Sequence, residues 1–179
     1  MKKLAASLTV LCCLSLGLAL GLTHGLFGPR SAVETSRARS YHSVGALNAD
    51  AQAVVQATAT STRSVQPGDF PVTVTVMKVD RVLHGAVDGA TLKLRQMGDP
   101  SGRVTIEDGV PIVHAGNSYV IFLQRFTYGP GRDTDEFVAV GGGAGLFLDQ
   151  GGTLKRQDPQ SPDLPASLPL AELVRQMGG

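Results

Sequence analysis

Four histidines, fifteen carboxylates and two cysteines are the residues from which this chain could build chemistry. A zinc centre needs three or four ligands, commonly with two closely spaced, as in H-x-x-x-H. His42, His84 and His114 lie 42 and 30 residues apart. They would form a site only if the fold brought His84 and His114 together beside Asp80 or Asp108; loop and turn histidines are the plainer reading. Asp133, Asp135 and Glu136 in GRDTDEF hint at calcium through D-x-D. An EF-hand loop, however, needs ligands through its twelfth position and a central glycine, so a solvated acidic loop is expected. Gly141 to Gly145 (GGGAG) looks like a phosphate cradle, but a P-loop needs Lys-Ser/Thr and a helix behind it. Here Leu146-Phe147-Leu148 follows, and the run reads as a turn. No G-x-S-x-G elbow frames a nucleophile, and Ser101-Gly102 and Asn117-Ser118 are turn material. The expectation is a non-enzymatic chain with no catalytic residue, no cofactor and no metal ligand.

Cys12 and Cys13 belong to a different feature. Met1, Lys2 and Lys3 precede an uncharged apolar run from Leu4 to Phe27. At about 1.5 Å per residue, that run can cross a bilayer core of roughly 30 Å. It exceeds the usual h-region of a cleaved signal peptide, which favours an uncleaved signal anchor. Ala19-Leu20-Gly21 offers a small-x-small cleavage site, so cleavage and secretion form the alternative. Lipidation of Cys13 is a third reading, with a poor match because Cys12 stands where a small residue belongs. Lys2, Lys3 and the amino terminus are nearly balanced by Arg30, Arg37 and Arg39 beyond the run. Export of the long C-terminal part is still expected, since the opposite orientation leaves only three residues to translocate.

Composition narrows the function classes. Setting aside Lys2 and Lys3 leaves fourteen of the sixteen Lys and Arg residues against fifteen Asp and Glu. No basic surplus drives phosphate-backbone binding. Trp is absent and aromatic residues are 5% of the chain, which opposes a stacking platform for single strands. Nucleic acid is therefore not an expected partner. Beyond residue 27 there is no cysteine, so an exported domain holds together by its core alone.

The positioning elements are mostly strands. Ala53 to Arg63 alternates Val55, Ala57, Ala59 and Ser61 with Gln, Thr, Thr and Thr. Gln66-Pro67-Gly68-Asp69 is a turn. In Val72 to Leu83, Val72, Val74 and Val76 face one side and Thr73 and Thr75 the other. The alternation slips at Met77-Lys78, predicting a bulge or bend there. Leu92 and Leu94 alternate with Lys93 and Arg95 in Thr91 to Gln96. Met97 to Asn117 is a long loop with a short strand at Val104 to Ile106. Ser118 to Phe126 is a buried strand, followed by Phe137 to Val140, Gly145 to Leu148 and Thr153 to Arg156. Ser167 to Met177 fits a terminal helix with Ser167 as N-cap and Leu170, Leu173 and Val174 on one face. Five or six strands, all antiparallel, favour a small closed or partly open barrel.

Four pieces in order carry a resemblance: Ala53 to Arg63, then VDRVLHG (Val79 to Gly85), TLKLR, and VHAGNSYVIFL (Val113 to Leu123). They resemble extracytoplasmic bacterial proteins whose OB-like barrel is similar to the N-terminal domain of tissue inhibitors of metalloproteinases. Val79, Val82, Leu83 and Gly85 match one strand end of that pattern, with His84 in its usual Lys position. Gly116, Tyr119, Val120, Ile121 and Phe122 match a second. The resemblance spans about Ala53 to Leu148 and implies an OB-like barrel. Those inhibitors wedge an N-terminal Cys into a protease zinc site, and this domain has no Cys, so inhibition is not carried over.

The expected organisation is a signal anchor or signal peptide at 1–27, a linker at 28–50 and an OB-like β-barrel domain at 51–158. A Pro-rich loop with a short helix occupies 159–179. The expected role is a cell-envelope interaction or accessory module, single-pass in the cell membrane through residues 4–27, with its C-terminal domain outside the cytoplasm. Loops 97–117 and 127–136 would meet an envelope protein or ligand. A secreted inhibitor or ligand-binding protein is the alternative, and an enzyme the third reading.

Overall fold

Two long strands rich in Val, Thr and small residues form the spine. The computed structural model describes residues 31–33, 39–68, 70–101, 104–106 and 109–178. The apolar run, and with it the anchor, cleavage and lipidation readings, lies outside those residues, as does Asp108. Among the described residues no helix is long and apolar enough to cross a membrane.

The elements in chain order are β1 (Ser31–Val33), α1 (Val44–Asp50), β2 (Ala53–Val65), β3 (Val72–Gly85), β4 (Thr91–Met97), β5 (Val104–Ile106), β6 (Ser118–Thr127), β7 (Asp133–Ala139), β8 (Leu146–Asp149), β9 (Thr153–Arg156), β10 (Ser167–Pro169) and α2 (Leu170–Met177). The molecule is mainly β. One eight-stranded sheet runs β10-β9-β8-β6-β2-β3-β4-β7, and β6 also pairs with β7. That extra pairing closes β6, β2, β3, β4 and β7 into a ring of five strands. β6 reaches both neighbours because it is long: Ser118 to Ile121 pair with β8, and Leu123 to Thr127 with β7. β1 and β5 form a separate parallel pair.

The ring is not all antiparallel, as the sequence had suggested. β4 and β7 run parallel, with Lys93 opposite Glu136 and Leu94 opposite Phe137. A long connection between β4 and β6 permits this, because it returns the chain beside β2 rather than beside β4.

β2 up to Ala59 and β6 up to Leu123 are covered on both faces. Val55, Ala57, Ala59, Tyr119, Ile121 and Leu123 fill the inside of the ring with Met77, Leu92, Leu94 and Phe137. Val54, Val120 and Phe122 point the other way, into a second cluster with Leu47, Phe147, Leu154 and Leu173. Burial on both faces explains why β6 reads as a continuous apolar run.

The expected linker therefore ends earlier than residue 50. Tyr41, Val44 and Leu47 belong to the second cluster, and Ser43 caps α1 by accepting from the Ala46 N–H at 3.1 Å. At the other end, Ser167 is not a helix N-cap. It pairs with Lys155 in a short strand, and α2 begins after Pro169 with no side-chain cap. Leu173 is buried, Leu170 and Met177 pack beside it, and Val174 is exposed.

The irregularity expected near Met77 is present, with its extra residue on the partner strand. Ala59 faces Met77 and Ser61 faces Val76, leaving Thr60 unpaired in a bulge. β3 itself does not slip there. Register with β4 puts Thr73, Thr75 and Met77 opposite Gln96, Leu94 and Leu92 on the inner face. Val74 and Val76 share the outer face with Arg95 and Lys93. The threonines, rather than the valines, look into the ring.

Candidate binding cleft at the parallel seam

Only two residue pairs join β4 to β7, so the ring closes through a narrow main-chain seam. Side chains carry the rest. The Arg95 guanidinium donates to Glu136 at 2.8 Å and lies over the Phe126 ring at 4.4 Å and the Tyr128 ring at 5.6 Å. Lys93 donates to Asp135 beside it. That bond above all holds the Asp135 carboxyl below its usual value, against an opposing desolvation and with help from the lysine charge.

Where the seam ends, a cleft of about 310 Å³ opens, with Val76, Leu92 and Phe137 among its walls and Asp88, Lys93 and Arg125 at its sides. Leu92 and Phe137 reach it from positions that turn toward the core, and Val76 from the outer face of β3 beside Lys93. Arg125 is an exposed residue held once at its backbone and twice at its guanidinium. Its backbone N–H donates to Gln52 Oε1 at 2.8 Å, its guanidinium to the Thr134 carbonyl at 3.2 Å, and its plane sits over the Phe137 ring at 5.1 Å. Among the described residues it makes no ion pair. The arrangement suits binding: an apolar floor with a pre-positioned planar cation at its edge.

The residues singled out by chemistry do not meet. His84 sits opposite Val54, while the loop holding His114 docks on Ala59 through Gly116 and Asn117. Those anchor points are five residues apart on β2, about 16 Å at a strand's rise. His42 Nδ1 is 2.5 Å from Asp163, both exposed. Asp80 accepts from Thr58 at 2.6 Å, and Thr58 bonds Ser118 at 2.8 Å. Ser101 closes a turn on Asp99, its N–H and hydroxyl both donating to that carboxylate. Among the described residues no three His, Cys, Asp or Glu gather into a metal-holding group.

The acidic stretch read as a loop is strand. Asp133 to Glu136 open β7, and two of their carboxylates face β4 cations. Gly141 to Gly145 is a turn, with a packing reason for its composition. A Cβ on Gly141 would lie 2.7 Å from the Tyr41 ring, one on Gly143 2.3 Å from Val110, and one on Gly145 2.9 Å from Phe122. The run is a close-packed corner.

Sequence reasoning had named neither Arg125 nor Phe137 as a site residue. The available signal was Arg125 itself, a cation at the end of the apolar stretch YVIFLQR, at a position sharing the face of Leu123. No family model matches the chain, and no curated protein matches its sequence.

Proposed function

We propose that this chain is a membrane-tethered, extracytoplasmic binding module with an OB-like domain and no enzymatic activity. The observation that carries the reading is the strand order of the ring. β6-β2-β3-β4 follows the Greek-key order, in which three consecutive strands are joined by a fourth that returns beside the first. OB-folds are five-stranded, partly open Greek-key barrels that bind through the face of their second and third strands and the adjoining loops. β3 and β4 hold those two places here and supply Val76, Leu92 and Lys93 to the cleft. The likeness to extracytoplasmic barrels similar to the inhibitors' N-terminal domain supports the same reading. The near-neutral exported part and the paucity of aromatics favour a protein or small-molecule partner over nucleic acid.

The test is intact mass and N-terminal sequencing of the protein recovered from membrane and soluble fractions. Retention in the membrane with residues 4–27 present is expected, followed by crosslinking to envelope partners. A soluble form beginning near Leu22 would replace the tethered reading with the secreted one. A lipid-sized mass increase on Cys13 would replace both.

A further inference from the structure

We propose that the seam cleft binds a carboxylate carried on a short apolar stem, with the Arg125 guanidinium as its anchor. The inference rests on reading the ring as a binding module and adds the class of ligand.

The argument starts from what each charge already has. Lys93 and Asp135 neutralise each other. Arg125 lies over Phe137 and spends one N–H on a backbone carbonyl. A guanidinium has five N–H donors in a planar fork that matches a carboxylate. Arg125 therefore holds unspent donors, fixed in place before any ligand arrives. Little ordering cost remains for binding, which is the advantage of preorganisation.

Charge count sets the ligand's charge. Lys93 and Arg125 stand against Asp88 and Asp135, so the lining is neutral overall; Arg125, which makes no ion pair among the described residues, can match one negative charge and no more. A phosphate monoester brings nearly two, and would meet Asp88 and Asp135 across the same opening. A singly charged carboxylate meets less repulsion and fits the fork. The floor sets the rest of the ligand. Val76, Leu92 and Phe137 offer apolar surface that a stem would cover. A volume of about 310 Å³ is at the small end of ligand pockets, so the stem is a side-chain-sized group. Both a free organic acid and the C-terminal residue of a peptide have this chemistry.

The test uses the full chain in nonionic detergent micelles, with empty micelles as the blank. The probe is 4-(trifluoromethyl)benzoate, followed by fluorine NMR line broadening, against the neutral 4-(trifluoromethyl)benzamide. Broadening of the benzoate alone is expected. Arg125→Gln weakens it by about tenfold or more, the scale of a charge-assisted hydrogen bond. Arg125→Lys keeps the charge, loses the fork and falls between. Asp135→Asn removes a nearby anion and tightens binding, a gain that misfolding cannot imitate. Arg175→Gln on α2 is the control and leaves binding unchanged.

Equal broadening of the benzamide, or an Arg125→Gln variant with native circular dichroism and unchanged binding, overturns the proposal. An acetyl-Ala-Ala-Phe peptide with a free or amidated end separates the two sources. Tighter binding of the free-ended peptide than of the benzoate assigns a chain terminus, and weaker binding assigns a small acid. Loss of binding in a protein still retained by membranes overturns the carboxylate assignment alone. Binding by a protein released from membranes overturns the tether alone.

Discussion

Two ion pairs cross the same seam, two residues apart on β4, and they are physically unlike. Arg95 and Glu136 keep 9% and 15% of their side-chain surface, whereas Lys93 and Asp135 keep 42% and 73%. Both cations project outward from the same strand, so the strand does not make the difference. The cover does: Phe126 and Tyr128, themselves packed edge to face at 4.9 Å, lie against Arg95. A charge taken out of water depends on its partner far more than one left in it. The seam thus has one pair whose loss should open the ring and one whose loss should not.

The largest effect is therefore expected from Glu136→Ala. It strands the Arg95 charge beneath its aromatic cover, and removing one partner of a buried pair costs about 3–5 kcal/mol. Urea denaturation of the full chain in micelles measures this. A loss below about 1 kcal/mol would show that the Phe126 and Tyr128 faces alone satisfy Arg95, and the contrast between the pairs would vanish.

A second buried polar group extends the comparison to the other cluster. Tyr41 is 5% exposed and donates to Asp50 at 2.7 Å. Burial, then the hydrogen bond to Asp50, pushes its phenol from 10.0 to about 12. A folded-state value above the unfolded one means that the stabilisation is complete below pH 10. It is lost as pH rises from 10 through about 12. Two pH units correspond to about 2–3 kcal/mol. Tyr41→Phe lacks this loss, so wild type and variant should converge in stability over that window. A constant difference between pH 9 and 12 would show that the phenol ionises as freely folded as unfolded.

Thr75 is the opposite case, buried with no partner for its hydroxyl among the described residues. Thr75→Val keeps the shape and removes the unsatisfied group. A gain of up to about 1 kcal/mol is expected, since an orphaned buried polar group costs on that scale. A loss would mean that the hydroxyl is satisfied by water inside the ring.

Thr75 also marks where sequence reading stopped. Alternation in β3 was plain, and it placed Val72, Val74 and Val76 on one face correctly. Which face looks inward is fixed by pairing with Leu92 and Leu94, partners that local pattern does not reveal. The same limit hid the seam. Asp133 to Glu136 carry three acids and sit beside Gly131 and Arg132, the composition of a loop; they are strand because β7 pairs along β6, with Asp133 opposite Thr127, and reaches β4 at Glu136. Ser167 followed by Leu, Pro and Leu has the local grammar of a helix start, but β9 claims it as a strand. What was legible were features set by neighbours in the chain: the length and burial of β6, the irregularity near Met77 and the apolar face at Leu170 and Leu173. The candidate cleft was not legible, because Arg125 gains its meaning from Phe137 twelve residues away and from Gln52, at the start of the neighbouring strand β2.

The smallest effect is expected at the open pair. Lys93→Ala removes a partner from an Asp135 that water already surrounds, and exposed ion pairs contribute little after side-chain ordering and salt screening are counted. The denaturation midpoint should not move measurably, and raising the salt from low to physiological strength should leave wild type and variant together. The one consequence should be electrostatic and local. Freed from Lys93, the Asp135 carboxylate is left facing Arg125 across the cleft, where it competes with any incoming anion. Lys93→Ala should therefore weaken benzoate binding while leaving stability unchanged, the reverse of what Thr75→Val does. If it lowers stability as Glu136→Ala does, aromatic cover is not what separates the two pairs, and the seam holds by charge at both.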